Sequence, residues 1–328
     1  MSITAFTFNL QHGEGTDGNF NYQRQIDAMV TGSADIVAVQ ERSSPDTGWD
    51  TPLTNAGMAQ AIYRANQIGG GDGCAIWYKS STVTVLNTYE VQLSIGATSP
   101  WDGIPTNVDK CAVAAKVQVE GQRFYFVGTH LCQNAGADAD QSLTSTIREN
   151  QIKTLLTWVN GNLLGLDVLI AADFNFASNY LLNGGGFQDD LFTRAGFVDL
   201  WYEGVGNGAA SVPWANLDGT GGADQTVSVN TITHDTRNID RLKKRSVNRA
   251  LTMTAIVVPD MRVTCSGALT GSPLRCPDVA TDQLTGTVLD YGVRPTDHNP
   301  VKATFTVNQT AASPVRRTNY SWLPNVRL

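Results

Sequence analysis

The polar residues of this chain that could do chemistry gather at the ends of apolar runs. Asn9-Leu10-Gln11 follows the run Ile3–Phe8, and Gln40-Glu41-Arg42 follows Asp35–Val39. His130 follows Phe124–Thr129, and Asp173-Phe174-Asn175 follows Asp167–Ala172. Ile239-Asp240-Arg241 opens a further segment, and Thr296-Asp297-His298-Asn299-Pro300 precedes Val301–Val307. Singly, each has a plain structural reading: Asp and Asn bond their own backbone in turns, Thr-Asp caps a segment, and a histidine can be a satisfied structural residue. As a set they match one reaction. Hydrolysis of a phosphodiester needs a hard cation, which carboxylates hold. It also needs a group that orients or deprotonates water, donors for the phosphoryl oxygens and help for the leaving oxygen. Glu41, Asp173, Asp240 and Asp297 meet the first two needs. Asn9, Asn175, His130 and His298 meet the rest. If the strands before them run in one sense, these groups converge at one sheet edge.

The elements that must position them follow from periodicity. Tyr22–Thr31 and Ile147–Val159 carry apolar residues at helical spacing. Cys74–Tyr78 with Val83–Leu86, and Cys111–Val119 with Phe124–Thr129 about Glu120-Gly121, read as hairpins. Leu251–Val258 and Val301–Val307 read as late strands. Strands interleaved with helices and hairpins predict an α/β (α+β) fold, a two-sheet β-sandwich flanked by helices. No internal repeat or charge run marks a linker. One catalytic domain is expected over residues 1–307, with Gly204–Gly222 as an inserted surface loop and residues 308–328 as a polar tail.

Composition narrows the partners. The chain has 328 residues, 41% of them hydrophobic, which excludes wholesale disorder. A net charge of -7 argues against a stoichiometric DNA coat, whose affinity comes from phosphate neutralisation. An enzyme needs only a local basic strip. The densest is Arg237, Arg241, Lys243, Lys244, Arg245 and Arg249, read either as a phosphate track or as a solvated face. Of five cysteines, Cys265 and Cys276 flank a Gly/Ser/Pro-rich loop and read as a disulfide pair. Cys74, Cys111 and Cys132 read as buried thiols, with a second bridge among them as the alternative. No CxxC pair occurs, which argues against structural zinc. The disulfide candidate and the low lysine content lead us to expect a secreted, extracellular protein, with this sequence beginning at the mature domain. No apolar stretch approaches the ~20 residues needed to span a bilayer. A monomer without an obligate protein partner is expected.

The ordered series NLQ, QE, THL, ADFN, IDR and TDHNP resembles the endonuclease/exonuclease/phosphatase superfamily over residues 1 to about 307. The stretch Cys74–Tyr89 also looks like a hairpin of the deoxyribonuclease I branch. The resemblance implies a DNase I-like sandwich with its site at one edge and Mg2+ or Mn2+ as cofactor, with Ca2+ as a structural ion. It implies that Glu41 holds the metal with Asn9 nearby and Asp297 sharing the task. Asp173 then positions or activates water, and Asn175 contacts the phosphate. His298 contacts the phosphate or takes a proton, supported by Asp240. His130 is the second histidine, supported by Asp72, and Arg241 joins the substrate-binding residues. Two departures stand out: Gly69-Gly70-Gly71-Asp72 replaces an aromatic-and-acid feature, and Lys110 stands where the family often has arginine. Lys110 offers the phosphate a point charge in place of a fork. The implied substrate is DNA, cut with weak sequence selectivity. The alternatives are a phospholipid phosphodiesterase of the sphingomyelinase type, a phosphomonoesterase of the same superfamily, and a binding module on a dead scaffold. The stretch Ile147-Arg148-Glu149-Asn150-Gln151 resembles the sphingomyelinase branch, for which Trp101, Val212 and Trp214 are the exposed docking candidates. The presence of all the expected acids and histidines argues against the dead scaffold.

Overall fold

Strand alternation sorts the apolar residues into three layers. In β1 (Ser2–Asn9) and β2 (Ile36–Gln40), Ile3, Ala5, Ile36 and Ala38 face one way, and Phe6, Phe8, Val37 and Val39 the other. In β7 (Gln122–His130) and β8 (Asp167–Asp173), Phe124, Phe126, Leu169 and Ala171 share the first cluster with the β1 and β2 residues. Tyr125, Val127, Val168 and Ile170 belong to a separate one. The first cluster is the interior between two stacked sheets. The other two lie beneath helices, α1 (Tyr22–Thr31) and α2 (Thr47–Asn55) on one side, and α3 (Gln141–Asn162) and α4 (Gln188–Arg194) on the other. A computed structural model describes residues 1–13, 22–42, 47–66, 73–94, 109–132, 141–176, 188–200, 203, 240–257 and 300–308. Asp72, Asp297, His298, Trp101, the 204–222 loop, the Cys265/Cys276 pair and residues 309–328 of the tail lie outside the described residues.

The remaining strands are β3 (Met58–Ala65), β4 (Gly73–Lys79), β5 (Thr84–Ser94), β6 (Lys110–Val119), β9 (Val198–Asp199), β10 (Asp240–Arg245), β11 (Leu251–Val257) and β12 (Val301–Val307). Among the described residues there are two mixed sheets of six strands each, ordered β11-β12-β1-β2-β4-β3 and β5-β6-β7-β8-β10-β9. The expected two-sheet sandwich is therefore the observed architecture. Each sheet has one parallel pair near its centre, β1/β2 and β7/β8. Their registers place Asn9 beside Gln40 and His130 beside Asp173. Antiparallel β10 begins at the same edge, with Asp240 beside Asp173. Gly128 lets the sheets approach closely there, since a Cβ at that position would lie 3.0 Å from the Cβ of Ala38.

Two expectations need correction. Cys74–Tyr78 and Val83–Leu86 do not form a hairpin. The first lies in β4, between β2 and β3; the second falls largely in β5, which pairs with β6 in the other sheet. The short link between them steps across the sandwich, held by Asp35. Its carboxylate accepts from Thr82 Oγ1 at 3.0 Å and from Thr4 N at 2.8 Å. Sequence proximity cannot distinguish such an arch from a hairpin. The β6/β7 hairpin does form, turning through Glu120 (φ 48°) and Gly121 (φ 80°). Cys74, Cys111 and Cys132 are buried thiols, as read, and no bridge joins them to one another. A hydrogen bond with Cys74 holds the Cys111 thiol below its ordinary range, and burial pushes Cys132 up to about 11.

The second correction concerns the basic stretch. Arg241 and Lys243 point from β10 towards the helix layer, where both are nearly fully buried. Arg241 NH1 lies 3.0 Å from Asp189 and 2.9 Å from Asp199, and Lys243 Nζ lies 2.7 Å and 3.0 Å from the same pair. These two cations are neutralised inside the protein and form no exposed phosphate track. Among the described residues, no helix is long and apolar enough to cross a membrane.

Two substitutions test this packing. Asp199→Ala strips two buried cations of a shared partner and should destabilise the fold by about 3–5 kcal/mol, read from the urea midpoint. The buried Asp167 carboxylate accepts from the backbone N–H groups of Val247, Asn248, Arg249 and Leu251. Asp167→Ala should cost about 3 kcal/mol in the same assay, because several donors lose their partner at once.

Candidate active site

The row of side chains that fills the inter-sheet core turns polar at one edge. Along β1 the inward row runs Ile3, Ala5, Thr7, Asn9; along β2 it runs Ile36, Ala38, Gln40; along β8 it runs Leu169, Ala171, Asp173. Thr7 Oγ1 donates to Gln40 Oε1 at 3.3 Å, where the apolar part ends. Beyond it the ladders continue past the strands: Leu10 N bonds Gln40 O, His12 N bonds Glu41 O and Leu131 N bonds Asp173 O, at 2.9, 3.0 and 3.0 Å.

Five of the sequence-predicted residues meet here, all buried. Asn9 Nδ2 donates to Glu41 Oε1 at 2.9 Å and to Asp173 Oδ2 at 3.0 Å, bridging the two carboxylates. Gln11 N donates to Asn9 Oδ1 at 3.0 Å, which fixes which end of the amide is oxygen. Asn175 N donates to Asp173 Oδ1 at 2.8 Å. Asn175 Nδ2 donates to the carbonyl of Leu131 at 2.9 Å and sits 2.8 Å from His130 Nε2. Since that nitrogen can only donate, Nε2 of His130 accepts. His130 Nε2 lies 3.6 Å from Asp173 and 3.7 Å from Glu41.

Lys110 is buried too. Its Nζ lies 3.4 Å from His130 Nδ1, which places the ammonium on the far side of the ring from the carboxylates. Asp240 is buried at the same edge, across from Asp173. Arg241 is not brought to the cluster, for the reason given above.

Glu41, His130 and Asp173 can each present one ligand atom within 4.8 Å of the others, and no second such group occurs among the described residues. Two carboxylates this close repel by about 3 kcal/mol or more at an effective dielectric of about 20. An oxygen-rich, buried and acidic donor set suits a divalent cation. His130 fits that role less well than the carboxylates do, because its Nε2 lone pair already accepts from Asn175.

Other residues position these groups, and the sequence alone did not mark them for it. Arg148 NH1 donates to Cys132 O at 3.0 Å, and Gln151 Oε1 accepts from Cys132 N at 2.8 Å, so α3 grips the chain just beyond His130. Gln25 Nε2 of α1 donates to Leu10 O at 2.7 Å. Among the described residues seven non-glycines have positive φ, and four of them, Gln11, His12, Glu41 and Asn175, are at this edge. Each costs on the order of 1 kcal/mol, which the surrounding bonds must offset. His12 was overlooked. Its one sequence signal is a histidine three residues after Asn9, directly before Gly13.

No family model and no curated protein matches the sequence. Solved structures do match. An endonuclease/exonuclease/phosphatase family protein from Bacteroides thetaiotaomicron aligns over 94% of this chain and 98% of its own, at 16% identity and TM-score 0.63. The mannosyl-6-phosphatase of the same species aligns over 93% and 99%, at 16% identity and TM-score 0.61. Danio rerio TDP2, complexed with a single-stranded DNA product, aligns over 93% and 99%, at 15% identity and TM-score 0.56. At such identity the shared property is the fold. The chain therefore has the DNase I-like sandwich fold of the endonuclease/exonuclease/phosphatase proteins, as its ordered motifs led us to expect.

Proposed function

We propose that this protein is a divalent-metal-dependent phosphoester hydrolase whose substrate is DNA. The observation that carries the reading is the buried convergence of Asn9, Glu41, His130, Asp173 and Asn175 on one sandwich edge. A cation held there, with Glu41 as its principal ligand, supplies positive charge to the phosphoryl oxygens. Asp173 is fixed through both carboxylate oxygens by Asn175 N and Asn9 Nδ2, an arrangement suited to orienting water and taking its proton. Asn175 donates to a phosphoryl oxygen in this reading by exchanging its contact with His130 for it. His130, whose strand exit α3 holds through Cys132, serves the leaving or a non-bridging oxygen in this reading once its contact with Asn175 gives way. Asp240, Asp297 and His298 complete the site in this reading, with Asp72 as the support of His130.

DNA is favoured by the deoxyribonuclease-like look of the ordered motifs, and a single-stranded DNA product is bound to one protein of this fold. The inward turn of Arg241 and Lys243 leaves phosphate recognition to other groups. With no base-reading element in the sequence, cleavage should be weakly sequence-selective.

The test is nicking of supercoiled plasmid with Mg2+, with Mn2+ and with EDTA. The expected result is metal-dependent nicking without discrete fragments, reduced about 100-fold or more in Asp173→Asn and Glu41→Gln. Folded protein that leaves plasmid intact with both metals overturns the DNA assignment. In that case p-nitrophenyl phosphate and sphingomyelin identify a monoesterase or a phospholipid diesterase.

A further inference from the structure

Gln11–Gly13 forms a single 3-10 turn just beyond β1. Its three residues have φ of 43°, 55° and 101°, so the chain is held in a left-handed path that only Gly13 adopts without strain. A Cβ at Gly13 would lie 2.1 Å from the ring of Tyr22, so α1 packs hard against the turn. Gln25 of the same helix holds Leu10 O, His12 N donates to Glu41 O at 3.0 Å, and Gly13 N donates to Leu10 O at 2.9 Å. The consequence of this clamped path is the position of one side chain. His12 Nε2 lies 3.5 Å from Glu41 Oε2, the carboxylate oxygen that does not receive the Asn9 amide. Glu41 is thus flanked by two imidazoles, His130 towards Oε1 and His12 towards Oε2. They differ in setting. The His130 side chain is 3% exposed and its Nε2 accepts from Asn175, whereas the His12 side chain is 41% exposed at the open side of the cluster.

We propose that His12 is a nitrogen ligand of the cation held by Glu41 and that it sets the metal preference of the site towards Mn2+ over Mg2+. The inference rests on reading Glu41 as a metal ligand. Two atoms bound about 2.1 Å from one ion lie roughly 3–4 Å apart, and the His12–Glu41 separation falls in that range. Mg2+ favours an all-oxygen shell and gives up water reluctantly. Imidazole suits later first-row ions, and Mn2+ accepts mixed oxygen and nitrogen donors. With the His130 nitrogen engaged by Asn175, His12 is where a nitrogen donor changes the selectivity of this site.

The substitution that tests it is His12→Asn, because Asn tolerates the left-handed backbone and replaces the ring nitrogen with an amide. Mn2+ binding to the full chain is followed by EPR, with Mg2+ as competitor, for the wild type, His12→Asn and Glu41→Gln. The expected result is a Mn2+ to Mg2+ affinity ratio that falls about tenfold in His12→Asn, with loss of imidazole nitrogen modulation from the pulsed EPR signal of bound Mn2+. An unchanged ratio and unchanged modulation in His12→Asn overturn the His12 assignment. If Glu41→Gln abolishes Mn2+ binding in that same experiment, the catalytic reading survives without it. A wild-type protein that binds no Mn2+ overturns both.

Discussion

Glu41 and Asp173 come from different sheets, yet they share one amide nitrogen at the bottom of a buried edge. Two carboxylates in that position repel each other and have lost most of their hydration, so they persist only where the framework over-determines them. Much of the surrounding structure can be understood as the means of doing so. The sandwich contributes four strand ends in register, two parallel pairs facing each other, so that polar residues replace the last apolar layer of the interior. Gly128 contributes the narrow spacing. Asn9 contributes the bridge, itself aligned by Gln11 N.

Helices on both outer faces complete the clamp. On the β7/β8 side, Arg148 and Gln151 take both polar atoms of the Cys132 peptide and so fix the exit from His130. On the β1/β2 side, Gln25 takes the carbonyl of Leu10 and Tyr22 packs on Gly13. Left-handed residues gather where these clamps act. A left-handed backbone at Glu41 breaks strand alternation, since Gln40 already faces inward, and aims the Glu41 side chain into the cluster. Pre-organisation of this kind suits a reaction in which charge develops at a fixed point.

Charge placement separates the candidate site from the rest of the chain. The protein is acidic overall, and the cations Arg42, Lys110, Arg241 and Lys243 are all buried. Arg241 and Lys243 serve the packing of α4 and β9 against β10 through Asp189 and Asp199. Removing a charge from such a network is costly, so these residues are constrained by stability as much as by any substrate.

Much of this was legible in the sequence. Buried strands such as Ile36–Gln40 and Asp167–Asp173 are short continuous apolar runs, and the polar residues ending them carry their own signal because burial on both faces leaves no solvent to explain them. The helix at Tyr22–Thr31 and the β6/β7 hairpin follow from local periodicity and turn chemistry alone. Edge elements were not legible. β3 is half-exposed along its length and carries no clean alternation, and α4 and β9 are too short to show a period. Nor can sequence decide between a hairpin and an arch for the β4–β5 link, since both need only two strands and a short turn. The direction of a charged side chain is non-local as well: Arg241 and Lys243 turn inward only because Asp189 and Asp199 wait there, from elements some forty to fifty residues earlier in the chain. His12 belongs to the same class. Its place beside Glu41 is set by helix α1 and by a left-handed turn, and neither leaves a periodic trace in the residues around it. Local rules determined which strands end in polar residues; only tertiary packing decided which of the remaining charges and rings join them.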